Sequence, residues 1–382
     1  MLSKFINLKS FNIKKNKKTI QKKLKFLIKE KNQLNQSLNQ TYQDKYDLKK
    51  IKGKKNFRLI GMGGSVLGSQ AIFNFLKKKI NKKFLFFNNL NSFQKLDKKE
   101  KFTNLIVSKS GNTLETILNA NILINKKDEN IFITENKSSY LLNLAHKLKA
   151  EIVYHNNFIG GRYSVLSEVG MLPAELMGLN PKKFRQFNNI VKNKKFLNLL
   201  IKNTAAILHY SKKKKYNSII INYDHKSNYL FQWYQQLVAE SLGKKGKGIL
   251  PIISTMPKDN HSVMQLYLDG FKNNFFTFFS CKEKDSNSLN KASLLNTHKK
   301  MGSYNLNDII LKQKNATENV FTNKNIPFRS FEISKRNEEV LGELFCYFIL
   351  ETILLGRSLN VNPFDQPSVE LIKIETKKQF KS

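Results

Sequence analysis

Short apolar runs constrain the fold of this chain most, because each run stops at a loop of small residues and is followed by an apolar pattern of helical spacing. The run FRLI at 57–60 precedes the glycine turn GMGGS and the amphipathic stretch VLGSQAIFNFLKKK. The run NLIV at 104–107 precedes SKSGN and then TLETILNANILI. Strands that alternate with helices across short loops predict a parallel sheet covered by helices on both faces.

The alternation continues along the chain in two series. Further strands are predicted at 84–87, 130–134, 217–223, 249–255 and 274–280, and helices at 140–148, 181–212, 335–358 and from Ser368 onward. A chain of 382 residues is comfortable for two domains. We therefore expect an α/β protein with a helical N-terminal arm (1–50), a first domain (51–180), a second domain with its helical connection (181–361) and a C-terminal segment with a helix (362–382). The polar stretch 282–330 is predicted to be the least ordered part.

The chain is strongly basic, since 67 Lys and Arg against 28 Asp and Glu give a formal charge of +39. Such a charge is typical of proteins that bind nucleic acid or an anionic surface. The lysines are spread along the whole chain, however, and arginine, the better reader of bases and phosphates, is scarce. We therefore expect a solvated basic surface that helps to attract a phosphorylated substrate, and no nucleic-acid partner.

The two cysteines, Cys281 and Cys346, form no CxxC pair, so neither a disulfide framework nor a zinc site is predicted. The basic N-terminus lacks the continuous apolar core of a secretory signal. The apolar stretch Val340–Leu355 contains two glutamates and is too short to span a bilayer, which predicts a buried core helix. These features indicate a cytoplasmic protein with no membrane segment.

Two loops follow predicted strands, at the edge where open parallel sheets bind ligands. The loop GMGGS at 61–65 matches neither the dinucleotide fingerprint nor the P-loop, and on its own it is most simply a tight turn. The loop at 108–113 combines three hydroxyls with a lysine and a glycine: Ser108, Ser110, Thr113, Lys109 and Gly111. This set fits a helix cap at Thr113 or a cradle for a phosphate monoester, and the residues alone leave both open.

Six segments in order along the chain together carry a resemblance to a known family. They are GMGGS (61–65), SKSGNTLET (108–116), GGRYSVLSEVGMLPAEL (160–176), LVAESLGK (237–244), HSVMQLYLDG (261–270) and NPFDQPSVELIK (362–373). Each is similar to a segment of the glucose-6-phosphate isomerase family. The chain departs from the family pattern at Leu242, where Asn is common, and at Ser368, where Gly is common.

The resemblance implies two sugar-isomerase-type domains, each a mainly parallel sheet flanked by helices, with helical N- and C-terminal arms. It also implies the interconversion of glucose 6-phosphate and fructose 6-phosphate through a cis-enediolate, in glycolysis and gluconeogenesis. A small sugar phosphate is then the substrate, and no metal or organic cofactor is expected. The family is usually dimeric, and its histidine reaches in from the other subunit, so we expect a homodimer that shares His261 across the interface.

The resemblance also assigns roles to single residues. Glu240 is the base that moves the proton between C1 and C2, and Arg162 is the cation that stabilises the enediolate. His261 and Lys373 correspond to the pair that opens the sugar ring. The implied substrate-binding residues are Gly64, Ser65, Ser108, Lys109, Ser110, Thr113, Glu115 and Gln366. From the residues alone, Glu115 is equally an exposed first-turn acid favoured by the helix dipole.

Two alternatives remain at this stage. A dual glucose/mannose 6-phosphate isomerase would use the same enediolate and differ only in facial selectivity at C2. A sugar-phosphate-binding regulator that has lost catalysis would keep the loop at 108–113, but it could lose Glu240, Arg162 or Lys373, and all three are present.

Overall fold

In the computed structural model, the described residues are 3–13, 18–49, 51–92, 100–125 and 127–380. They form the strands β1 (Ile6–Lys9), β2 (Asn56–Gly61), β3 (Lys83–Phe87), β4 (Thr103–Val107), β5 (Glu129–Thr134), β6 (Glu151–Tyr154), β7 (Asn217–Asn222), β8 (Leu250–Thr255), β9 (Asn274–Cys281) and β10 (Phe328–Ile333). Their α-helices are α1 (Lys18–Lys29), α2 (Gln33–Ser37), α3 (Leu67–Phe75), α4 (Leu114–Leu123), α5 (Tyr140–Leu148), α6 (Glu168–Leu176), α7 (Pro181–Phe184), α8 (Phe187–Ile190), α9 (Lys194–Lys212), α10 (Asn228–Leu242), α11 (Met264–Asp269), α12 (Leu306–Asn323), α13 (Glu338–Ser358) and α14 (Ser368–Gln379).

The strands make two five-stranded sheets, in which the first four strands from one edge follow the same order. The first sheet runs β3-β2-β4-β5-β6 and is parallel throughout. The second runs β8-β7-β9-β10-β1, and only β1 is antiparallel to its neighbour. In each sheet the strand order reverses beside the first parallel strand, so one switch point lies between β2 and β4 and the other between β7 and β9.

Burial on both faces explains why the strands are apolar without alternation. In the first sheet, Leu59 and Leu105 face the main core, while Ile60 and Ile106 face a second cluster that includes Leu123 of α4. Parallel strands covered on both sides have this composition because neither face meets water. The predicted α/β class with two mainly parallel, helix-covered sheets is confirmed.

The helix α13 runs through the main core, as the stretch Val340–Leu355 predicts. It packs against α10, α9, α7 and α1, and its Glu351 is buried in a bidentate pair with Arg329 of β10, at 2.5 and 2.9 Å. Within the described residues, no helix is long and apolar enough to cross a membrane.

Three parts of the sequence prediction need correction. The segment 1–50 contains the helices α1 and α2, but it also contains β1, which completes the second sheet by pairing with β10. The stretch 282–330 is not merely irregular, since it contains α12 and the start of β10. The short strand β6 follows α5 and was not predicted.

Candidate active site

Two loops lie side by side at the switch point of the first sheet. The strands β2 and β4 are paired in register, and Gly61 is opposite Val107 where they end. The loops that follow, 61–65 and 108–113, therefore start from the same edge. This edge is where open parallel sheets present helix N-termini and loop N–H groups to ligands.

The loop at 108–113 is held by contacts among its own residues and with β5. The buried hydroxyl of Ser108 lies 2.9 Å from the hydroxyl of Thr113, and the Ser108 amide donates to Ile133. Gly111 has φ of +64°, and a Cβ there would lie 2.1 Å from the Ser139 hydroxyl. Thr113 is the N-cap residue of α4, but its side chain makes no capping hydrogen bond, so of the two roles that the residues left open the structure does not show a side-chain cap. The Thr113 hydroxyl forms a hydrogen bond with the Ser108 hydroxyl instead.

The other polar residues of this loop differ in exposure and in partners. The Lys109 ammonium donates to the Asn157 carbonyl at 2.7 Å and pairs with Glu135 at 3.2 Å. Ser110 is exposed, and its hydroxyl accepts from the Asn112 amide at 3.3 Å. The Lys109 charge is therefore already compensated, whereas the Ser110 hydroxyl faces solvent.

The glycine loop at 61–65 packs directly against the turn that carries Arg162. A Cβ on Gly64 would lie 2.2 Å from the carbonyl carbon of Gly161 and 2.6 Å from the Arg162 amide nitrogen. Ser65 is half-buried, and its amide donates to the Met62 carbonyl. Glycine at 64 therefore lets the loop and the turn approach more closely than any side chain would allow.

The guanidinium of Arg162 joins three parts of the chain. It is 2% exposed and donates from Nη1 to Glu240 at 3.1 Å and to the Gln366 side-chain oxygen at 2.6 Å. Its Nε donates to Ser241 at 2.8 Å, and Nη2 donates to the carbonyls of Pro363 and Asp365 at 2.7 and 3.0 Å. A planar fork of five donors suits such a set, which a lysine could not satisfy.

Glu240 lies in the last turn of α10 and remains accessible. Its side chain is 30% exposed. One carboxylate oxygen accepts from Arg162, and the other accepts from Gln236, one helical turn earlier, at 2.9 Å. The carboxylate is thus fixed in place by two donors, beside a buried cation and open to a ligand.

The segment after α13 brings Gln366 to this cluster. Lys244 anchors it by donating to the carbonyl of Asp365 at 2.5 Å and to its carboxylate at 2.9 Å. The hydrogen bond from Lys244 lowers the pKa of the Asp365 carboxyl. Tyr163 adds a third tie, because its hydroxyl lies 2.8 Å from the Ser241 hydroxyl and donates to the Pro363 carbonyl at 3.0 Å.

Three predicted residues lie outside this cluster. Lys373 is exposed on α14, and its ammonium pairs with Glu370 of the same helix at 2.6 Å. His261 is exposed in a short 3-10 turn before α11, and within the described part of the chain its side chain makes no hydrogen bond. Glu115 is half-buried in the first turn of α4. The structure therefore brings together Arg162, Glu240 and Gln366, but it does not bring Lys373 or His261 to them.

A scan against protein families matches residues 17–255 to phosphoglucose isomerase. A glucose-6-phosphate isomerase of Methanocaldococcus jannaschii is 34% identical over 349 residues, which cover 86% of this chain and 84% of the relative. The chain belongs to the phosphoglucose isomerase family. The family predicted from the six segments is confirmed.

Other comparisons agree with this family. A glucose-6-phosphate isomerase of Campylobacter jejuni is 31% identical, with 84% of each chain covered. Among solved structures, a hypothetical protein from Thermus thermophilus has a TM-score of 0.83 at 21% identity, covering 96% of this chain and 95% of the other. A glucose-6-phosphate isomerase from Chlamydia trachomatis has a TM-score of 0.72 at 17% identity, covering 96% and 84%. At these identities the two structures support the fold of this family member.

The residues that hold the cluster of Arg162, Glu240 and Gln366 in place were not predicted from the sequence. The Glu240 carboxylate is oriented by Gln236, and the Arg162 guanidinium by Ser241. The segment with Gln366 is held by Lys244. The spacing of Gln236 four residues before Glu240 is a signal that could have been used, because residues at i and i+4 share a helix face. Within the described residues, no group of three His, Cys, Asp or Glu side chains could hold a metal ion.

Proposed function

We propose that this protein interconverts glucose 6-phosphate and fructose 6-phosphate at the cluster around Arg162. The observation that carries the proposal is the accessible Glu240 carboxylate, 3.1 Å from a buried guanidinium at the switch point of the first sheet. A base beside a fixed cation is the arrangement that proton transfer next to a carbonyl requires.

Glu240 removes the proton from C2 of the aldose and returns it to C1, through an enediolate on one face of the sugar. Negative charge then develops on the oxygens of C1 and C2. Arg162 stabilises this charge, because its guanidinium stays protonated next to the base and is held by five hydrogen bonds before substrate arrives. Gln366 accepts a hydrogen bond from the same Arg162 nitrogen as Glu240, and it positions the sugar hydroxyls.

The phosphate binds at the loop 108–113, at the N-terminus of α4. Ser108, Ser110 and Thr113 supply hydroxyls there, and the absence of a side-chain cap on Thr113 leaves the first-turn N–H groups for phosphate oxygens. Lys109, whose charge is offset by Glu135, contributes a further N–H donor. Gly64 and Ser65 lie in the opposite loop, and Glu115 contacts the sugar.

His261 and Lys373 open the sugar ring in this proposal. Their exposed positions within one chain are consistent with a site that is completed by a second subunit, with His261 crossing the interface of a homodimer. The domain boundaries at 50, 180 and 361 and a cytoplasmic location belong to the same proposal.

The test is a coupled assay of fructose 6-phosphate turnover with the parent protein and Glu240→Gln. Loss of the base is expected to lower kcat by roughly 10²–10⁴-fold. The matched control is Glu30→Gln, because Glu30 is also a partly exposed glutamate paired with an arginine, Arg357, at 2.6 Å. We expect the control to keep its turnover.

The same assay run in D₂O shows whether the transferred hydrogen passes through a base that exchanges with solvent. In D₂O the product should contain carbon-bound deuterium, because a carboxylate that holds the proton exchanges it with solvent. An inactive parent protein would support the non-catalytic sugar-phosphate regulator. Equal turnover of mannose 6-phosphate would support the dual isomerase.

A further inference from the structure

A cavity lies at the carboxyl edge of the second sheet, and Arg162 is not among the described residues that line it. Its volume is about 530 Å³, and it is bounded on one side by the end of α3. On the other side, Lys226 follows β7, Lys282 follows β9, and 334–336 follow β10. The cavity has the size of a small-molecule site.

The position of this cavity matches the proposed isomerase site by topology. Four parallel strands of each sheet follow the same order, and the switch points lie between β2 and β4 and between β7 and β9. The loops after β2 and β4 form the site described above, and the loops after β7 and β9 line this cavity. Ligands of open parallel sheets bind at such points.

The lining is rich in cations that acids only partly neutralise. Glu283 pairs with Lys226 at 3.1 Å and with Arg336 at 2.5 Å, and Arg336 also pairs with Asp224 at 2.6 Å. Within the described residues, three further lining lysines have no acidic partner within 4.0 Å: Lys282, Lys284 and Lys335. The cavity therefore carries an uncompensated positive charge.

Arg336 supplies a buried donor that lacks an acceptor. Its side chain is only 11% exposed, with Nε on Glu283 and Nη2 on Asp224. Its Nη1 is buried and has no hydrogen-bond partner in the described structure. A buried N–H without an acceptor is costly, and Arg336 lines the cavity, so a side-chain movement that brings Nη1 to an anion oxygen there would be favourable.

We propose that this cavity binds a small phosphate-bearing anion, separately from the isomerase substrate. The phosphate oxygens contact Lys282, Lys284 and Lys335 at the mouth, and the Arg336 side chain turns its Nη1 towards them from the base. The second sheet then has its own anion site, at the position where the first sheet holds the proposed sugar-phosphate site.

A basic groove elsewhere provides a matched control. It has a volume of about 490 Å³ and lies between α1 and α9, with Lys22, Lys25 and Lys194 in its lining. The described residues that line it include no strand end and no arginine. Removal of three lysines there changes the net charge by the same amount as removal of Lys282, Lys284 and Lys335.

The experiment is isothermal titration with pyrophosphate at fixed ionic strength, on the parent and on the two triple Lys→Ala variants. The variant at 282, 284 and 335 should bind one pyrophosphate fewer per chain, or bind it at least about tenfold more weakly, since three close charges are lost. The control should match the parent, and both variants should keep the parent's Tm because the six lysines are exposed.

Counting relative to the parent keeps the result independent of pyrophosphate binding at the isomerase site. Equal binding by all three proteins, equal losses in both variants, or no binding by the parent would overturn the proposal. Crystals soaked in tungstate give a second readout, with anomalous density expected beside Arg336. Density at 22, 25 and 194 instead would count against the site.

Discussion

Replacement of Arg162 by lysine tests whether the guanidinium acts through its charge or through its shape. The parent side chain uses five hydrogen bonds to hold α10, the turn around Gly161 and the segment 363–366 together. A lysine ammonium has three donors at a single nitrogen, so at least two acceptors in this buried cluster lose their partner. Arg162→Lys keeps the charge and removes the fork.

The expected loss of stability follows from the two lost hydrogen bonds. A buried acceptor left without its partner costs about 1–3 kcal/mol, so two of them should lower the free energy of unfolding by roughly 2–6 kcal/mol. The cation also moves from the place where enediolate charge develops, and loss of one such donor typically lowers kcat by about 10²–10³-fold. The effect on KM should be smaller, since the proposed phosphate contacts at 108–113 are untouched.

Urea unfolding and steady-state turnover of fructose 6-phosphate measure the two effects. Tyr163→Phe is the control, because it removes a neighbouring buried hydroxyl that also contacts Ser241 and Pro363 but leaves Arg162 intact. It should lose about 1–3 kcal/mol of stability and little of kcat. If Arg162→Lys unfolds at the parent's urea midpoint, or if its kcat equals that of the control, the assignment of a shape-dependent role to Arg162 is refuted.

Three further predictions concern other parts of the molecule. Ser108→Ala combined with Thr113→Ala should raise KM for fructose 6-phosphate while leaving Tm nearly unchanged, and an unchanged KM would mean that these hydroxyls serve only each other. Gly64→Ala should cost roughly 1–3 kcal/mol in urea unfolding, since its Cβ would meet the backbone of the neighbouring turn at 2.2 Å, and a parent-like midpoint would contradict that packing. Burial lowers the pKa of His155 to about 4, so the neutral ring contributes stability above pH 6.5 that is lost as pH falls towards 4, roughly 3 kcal/mol in all. The Tm of His155→Gln should therefore fall less than that of the parent across this pH range, and parallel curves would contradict the assignment.

The sequence predicted the elements whose composition follows from their surroundings. β4 is buried on both faces and reads as a continuous apolar run, and α5 was predicted with the bounds that the structure has. In contrast, β1 has the residues Ile6, Asn7, Leu8 and Lys9, an alternation too short to distinguish a strand from part of a helix. Its partner is more than 300 residues away, so nothing local indicates the pairing.

In the candidate site, too, some features could be predicted from the sequence and others depend on the tertiary structure. Arg162 and Glu240 could be named from segments that resemble the family, and the structure adds that they are in contact. The hydrogen bonds to Gln366 and to the carbonyls of Pro363 and Asp365 depend on how a distant segment folds back, which a pattern of residue types does not encode. For Lys373, the motif predicts a site residue, whereas the structure places it on an exposed helix.

The pairing of β1 with β10 has a consequence for synthesis on the ribosome. Residues 6–9 emerge more than 300 residues before their partner at 330–333. During that interval β1 has no partner strand, while the first sheet, formed by residues 56–154, can already assemble. A nascent chain therefore carries an unpaired strand while more than 300 residues are added, and a protein that lacks β1 would leave the outer edge of β10 open to other chains.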